Sequence, residues 1–71
     1  MRGTVHNINH EKGFAFLQPE GTTDRQSRHF AHVTSFVQGT FERLEVGDVL
    51  EFESIPNDRG LQAISIRFIG E

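Results

Sequence analysis

Lys12, Gly13, Phe14, Ala15, Phe16, Leu17 alternates aromatic with small or aliphatic side chains, and an extended chain sends successive side chains to opposite faces. Phe14 and Phe16 therefore share a face with Lys12, while Ala15 and Leu17 share the other. Two assignments follow. If Ala15 and Leu17 point into the core, the two phenylalanines stand on the surface about 7 Å apart, the rise of two strand residues. If the phenylalanines form the core face, Ala15 and Leu17 are exposed. On this stretch alone the two assignments are equally good, and the rest of the chain decides between them.

Upstream, Val5 to Ile8 follows Gly3 and leads into Asn9, His10 and Glu11, which predicts a strand over residues 2–9 and a turn before Lys12. Downstream, Pro19 and the polar loop Glu20 to Asp24 end the Phe14 strand. A third strand spans Arg28 to Val33, with Arg28, Phe30 and His32 on one face and His29, Ala31 and Val33 on the other. Thr34 to Val46 reads as a loop with at most one turn: Phe41 and Leu44 are a helical turn apart, but the segment is short and contains Gly39. Leu50 and Phe52 alternate with Glu51 and Glu53, a half-buried fourth strand with an acidic outer face. Pro56 to Gly60 has the chemistry of a five-residue hairpin loop. The fifth strand then places Ile64, Ile66 and Phe68 inward and Ala63, Ser65 and Arg67 outward.

With 71 residues the chain is expected to be one small domain over 1–71, burying about 60% of its unfolded surface, too little for a deep enclosed active site. It has no cysteine, so no disulfide or thiolate zinc site supplements the core. No apolar run approaches the roughly 18 residues of a membrane span, and no signal-type segment follows Met1 and Arg2. A soluble, cytoplasmic protein is expected. The net charge is −3, but it is unevenly spread. Through His32, Arg2, Lys12, Arg25 and Arg28 stand against Glu11, Glu20 and Asp24, and all four histidines lie there; beyond it, three arginines face seven carboxylates. The first half can meet an anion that the second half would repel.

Five short strands without a convincing helix predict an all-β protein, a closed five-stranded antiparallel barrel that leaves no exposed edges. Its fourth and fifth strands, with Val5, Leu17 and Ala31, already fill a small interior. Phe14, Phe16 and Phe30 do not fit there as well, so the surface assignment is preferred. Rings at that spacing form a platform on which nucleic-acid bases stack.

Taken with His29, Phe30, Ala31, His32, Val33, the opening stretch makes the chain resemble the bacterial cold-shock protein family over nearly its whole length. The family motif Lys-Gly-Phe-Gly-Phe-Ile stands here as Lys12 to Leu17, and Val-Phe-Val-His-Phe as His29 to Val33. Gly3, Thr4, Val5 match the opening Gly-Thr-Val, Phe41 the late loop phenylalanine, and Arg59 to Ala63 the pattern Arg-Gly-x-Gln-Ala. The resemblance implies a five-stranded OB-fold barrel, the cold-shock domain, that binds single-stranded RNA or DNA without catalysis or cofactor, as an RNA chaperone or a regulator of transcription or translation. The expected mechanism is physical: Phe14, Phe16 and Phe30 stack bases, His32 stacks or hydrogen-bonds, Phe41 either adds a ring from the loop or caps the barrel, and Lys12, Arg28 and Arg59 contact phosphates. The departures predict weaker binding or altered selectivity. His6, Asn7, Ile8, Asn9 replace the usual Lys-Trp-Phe-Asn, so the tryptophan is missing; Arg28 replaces an acidic residue, Val33 an aromatic, and His29 an inward valine.

Competing readings separate on simple grounds. Lys-Gly-Phe-Ala-Phe also fits a signature of the RNA-recognition motif, but that signature lies on a third strand and only 11 residues precede Lys12 here. A metal site on the histidines is disfavoured because His29 and His32 point to opposite strand faces and His6 and His10 lack a ligand pattern. The alternative function is a protein-interaction or self-association barrel using the same aromatic face, which salt dependence distinguishes from phosphate binding. A monomer is expected, with a dimer as the alternative.

Overall fold

A computed structural model describes residues 1–58 and 60–69. Its strands are β1 (Arg2–Asn9), β2 (Phe14–Pro19), β3 (His29–His32), β4 (Val49–Asn57) and β5 (Gly60–Phe68). They close into a barrel in the order β1, β2, β3, β5, β4. Every ladder is antiparallel except β3 with β5, which runs parallel through His29↔Leu61 and Phe30↔Gln62. Parity requires this: five strands cannot alternate direction around a closed ring, so one join must be parallel. It falls on the shortest strand.

The core is Val5, Ala15, Leu17, Ala31, Phe36, Phe41, Leu44, Leu50, Phe52, Ala63 and Ile66, with Ile8 and Phe68 packed against it. Ala15, Leu17 and Ala31 are fully buried, so the small and aliphatic residues of β2 and β3 face inward. Gly3 lies where a Cβ would come within 2.6 Å of the Gln18 carbonyl oxygen and 3.0 Å of Phe52. Only glycine lets β1 lie that close to β2.

Two irregularities set which side chains enter the core. In β1 the register passes from Val5↔Leu17 to Asn7↔Phe16, so His6 is an extra residue. Without it Asn7 would point inward after Val5; with it Ile8 does. In β5 the register passes from Arg67↔Glu51 to Ile64↔Glu53, and Ser65 takes a positive φ of 52°. This second bulge corrects the expected alternation. Ile66 is inward and Arg67 outward as anticipated, but upstream of the bulge Ala63 is buried and Ile64 only half-buried.

Strand boundaries also differ from the sequence reading, β3 beginning at His29 rather than Arg28. The β4 and β5 ladder continues to Asn57↔Gly60, so the expected five-residue loop shrinks to the positions between them, because Pro56 and Asn57 are held in strand pairs. β3 ends at His32, and Val33 begins a 3₁₀ turn, Val33–Ser35. The turn carries the Val33 side chain out to 37% exposure rather than inward. The following segment contains one further short turn, Phe41–Arg43. No helix among the described residues is long and apolar enough to cross a membrane.

Candidate nucleic-acid interface

Because Ala15, Leu17 and Ala31 fill the interior, alternation turns Phe14, Phe16 and Phe30 to the outside of the barrel. Phe16 pairs directly with Phe30 across β2 and β3, and Phe14 with His32. The three ring centroids form a near-equilateral triangle, with Phe14 to Phe16 at 5.8 Å and Phe30 at 5.7 Å from each. Phe30 is 37% exposed; the other two rings are half-buried by leaning on their neighbours. His32 extends the row, its ring 6.5 Å from that of Phe30. His32 Nδ1 is engaged by Thr34, lying 2.9 Å from its Oγ1 and 3.3 Å from its N–H, so Nε2 is the ring nitrogen left for a ligand.

Lys12 is exposed at the end of the β1 to β2 turn. Asn9 builds that turn: its Oδ1 accepts the Lys12 N–H at 2.9 Å and its carbonyl the Gly13 N–H at 2.9 Å. Gly13 sits at φ +76°, a left-handed conformation that side chains resist. Arg28 is held differently. Its Nε donates to Gln18 Oε1 at 2.9 Å, while Gln18 Nε2 donates to Thr22 Oγ1 at 2.8 Å and the Asp24 carbonyl at 3.0 Å. Thr22 Oγ1 in turn donates to the Pro19 carbonyl at 2.6 Å. Among the described residues neither Lys12, Arg25 nor Arg28 is ion-paired to a carboxylate. The acidic strand β4 neighbours only β1 and β5, so it lies across the barrel from the rings, where Glu51 pairs with Arg67 at 2.6 Å.

Two candidate residues are placed otherwise. Phe41 is not on the platform: it is 7% exposed, its ring 5.1 Å from Phe36 and 5.1 Å from His10. The Phe41–Arg43 turn folds it onto the open end of a core too small to close without it. Arg59 lies outside the described residues.

His29 is inward and 2% exposed. Its Nδ1 donates to the Ser27 carbonyl at 2.9 Å and its Nε2 meets Ser54 Oγ at 2.7 Å. Both ring nitrogens are therefore satisfied, which is how an imidazole occupies an apolar wall. It faces away from exposed His32, and among the described residues no group of three potential ligands could hold a metal ion.

Sequence reasoning missed two clefts flanking the platform. One, of about 400 Å³, is lined by Phe16, Phe30, Asn57, Leu61 and Gln62. Asn57 Nδ2 donates to Gln62 Oε1 at 3.0 Å there. The other, of about 320 Å³, is lined by His6, Asn7, Phe16, Arg25 and Arg28. Gln18 was detectable, since it lies two residues past Phe16 on the same face. Asn7 was not, because its direction depends on the bulge at His6.

Ser27 Oγ lies 2.9 and 2.8 Å from the two carboxylate oxygens of Asp24, and this hydrogen bond chiefly holds the Asp24 pKa below the usual carboxylate value. A depressed carboxylate stabilises the fold above its unfolded pKa, and that contribution is lost as pH falls through the lower folded value. An NMR titration of Asp24 should therefore show a midpoint below the ordinary aspartate range, moving up in Ser27→Ala. An unchanged midpoint in that variant would contradict the assignment.

A closed five-stranded barrel with this strand order and an aromatic outer face on β2 and β3 is an OB-fold of the cold-shock type. The family model described as the 'Cold-shock' DNA-binding domain matches residues 1–69, and the chain belongs to the cold-shock domain family, whose members bind nucleic acids. It is 40% identical over 65 residues to the cold shock protein CspA of Staphylococcus aureus (strain USA300), covering 92% of each chain. The same identity and coverage relate it to CspA of Staphylococcus haemolyticus (strain JCSC1435). Among solved structures, drosophila Unr CSD456 superposes with a TM-score of 0.70 at 32% identity over 96% of this chain. This chain spans about a quarter, 26%, of that larger one. These relationships indicate no enzymatic family.

Proposed function

We propose that this chain binds single-stranded RNA or DNA in the cytoplasm, stacking bases on Phe14, Phe16 and Phe30, as an RNA chaperone or a regulator of transcription or translation. The observation that carries this reading is the ring triangle on the outside of the barrel, on the wall opposite the acidic strand. Aromatic rings exposed on so small a protein cost solvation and gain nothing for the core. Ring faces accept any base, and an unpaired strand held on them is kept from re-pairing. His32 Nε2 offers a hydrogen bond at the end of the row, and Lys12 and Arg28 supply positive charge beside the bound strand. Arg59 extends this charge by its place in the family pattern.

Salt dependence tests the electrostatic half. Each phosphate contact on a single strand contributes about −0.7 to the slope of log K against log salt. With Lys12 and Arg59 on phosphates, the slope for a short oligonucleotide should be about −1.4. A flat response would instead favour the same face as an apolar contact for another protein chain.

A further inference from the structure

We propose that the cleft beside Phe16 selects guanine, with the Arg28 guanidinium reading the base edge rather than a phosphate. This inference rests on single-strand binding and gives it a base preference. The cleft, lined by His6, Asn7, Phe16, Arg25 and Arg28, has one aromatic wall and otherwise hydrogen-bonding or cationic side chains.

What distinguishes Arg28 from an ordinary surface cation is how it is fastened. Gln18 Oε1 takes its Nε hydrogen at 2.9 Å, and Gln18 is itself anchored to Thr22 Oγ1 and the Asp24 carbonyl. The guanidinium plane is thereby set, and the edge formed by its terminal amino groups remains for a ligand. Two parallel N–H donors in a fixed plane match two adjacent acceptors.

Guanine presents such a pair, O6 and N7, whereas adenine sets a donor amino group beside N7 and uracil or thymine offers O4 next to a carbon. Cytosine also has adjacent acceptors, N3 and O2, but its single ring covers less of Phe16. A phosphate also offers two oxygens to the fork, but it is common to every nucleotide and confers no base preference, and the Phe16 ring in the same cleft supplies a stacking wall that only a base uses. Base readout requires the plane that the Gln18 brace sets. Arg28 is thus the specificity-determining residue, and Gln18 a positioning residue acting through it.

The experiment compares a labelled uridine heptamer with versions carrying one central guanosine, adenosine or cytidine, bound to the wild-type chain and to Arg28→Lys and Gln18→Met. The readout is the ratio of affinities for guanosine over adenosine, in which a general loss of charge or contact cancels. Wild type should give a ratio on the order of tenfold, the lower range for a bidentate base contact. Arg28→Lys, which keeps the charge and loses the fork, should bring it to about one. Gln18→Met, which keeps the fork and frees its plane, should give an intermediate value.

A wild-type ratio near one, cytidine bound as well as guanosine, or a ratio retained in Arg28→Lys would each overturn the guanine assignment while leaving single-strand binding in place. Failure of every heptamer to bind wild type would remove both together. Far-UV circular dichroism melts confirm that each variant is folded.

Discussion

Phe16→Ala is expected to weaken binding of a short single-stranded oligonucleotide by about tenfold to a hundredfold, the range for loss of one base-stacking ring, while the barrel stays folded. Phe16 is central to the face: its ring is 5.8 Å from Phe14 and 5.7 Å from Phe30, and it lines both flanking clefts. Its removal therefore takes away one ring of the proposed stacking surface and a wall of both flanking clefts. Because Phe16 and Phe30 touch, the double variant should lose less than the product of the single losses. The chain contains neither tryptophan nor tyrosine, so the titration reads anisotropy of a labelled oligonucleotide rather than intrinsic emission. Unchanged affinity in a folded Phe16→Ala protein would eliminate the stacking platform.

The same substitution at an inward position of β4 should have the opposite consequence. Phe52 is 1% exposed, lies against Gly3, and has its ring 5.2 Å from that of His29. Phe52→Ala should cost about 3 to 5 kcal/mol, since removing a buried phenylalanine loses its transfer energy and leaves a cavity. A chain of this length has about 4 to 11 kcal/mol in total. The melting temperature should fall by about 15 °C or more, or the protein should fail to fold. A shift within a few degrees would mean that the interior is not packed around Phe52. Taken as a pair, the two variants separate a ring kept for a ligand from one kept for the fold.

Much of this division was readable from local alternation. Lys12 to Leu17 and Arg28 to His32 carry their patterns without interruption, and β2 and β3 run without bulges, so Phe14, Phe16, Phe30 and His32 came out on one face. β1 was correctly bounded at residues 2–9. Failures arose where one residue is inserted into a ladder. Ser65 reverses the faces upstream of it, placing Ala63 rather than Ile64 inside, and a bulge has no periodic signature. His6 does the same in β1. For Phe41 the sequence leaves platform and cap equally open, because a loop gives no period from which to infer direction, and its burial decides for the cap. Its burial reflects the need to close one end of the barrel. The bracing of Arg28 by Gln18, Thr22 and Asp24 depends on how the loop after Pro19 folds back, which no spacing along the chain encodes.

The segregation of charge has a consequence for encounter as well as for contact. The net charge is −3, and the acidic strand across the barrel from the rings is partly neutralised by Arg67 on Glu51, so repulsion of a polyanion is weak on every side. A polyanion farther away than the Debye length, about 8 Å in physiological salt, meets only a weakly repulsive object. At closer range Lys12, Arg25 and Arg28 turn the aromatic wall toward it. On the proposed stacking reading, misoriented collisions would separate quickly, and productive ones would be selected by rotation before any ring touched a base.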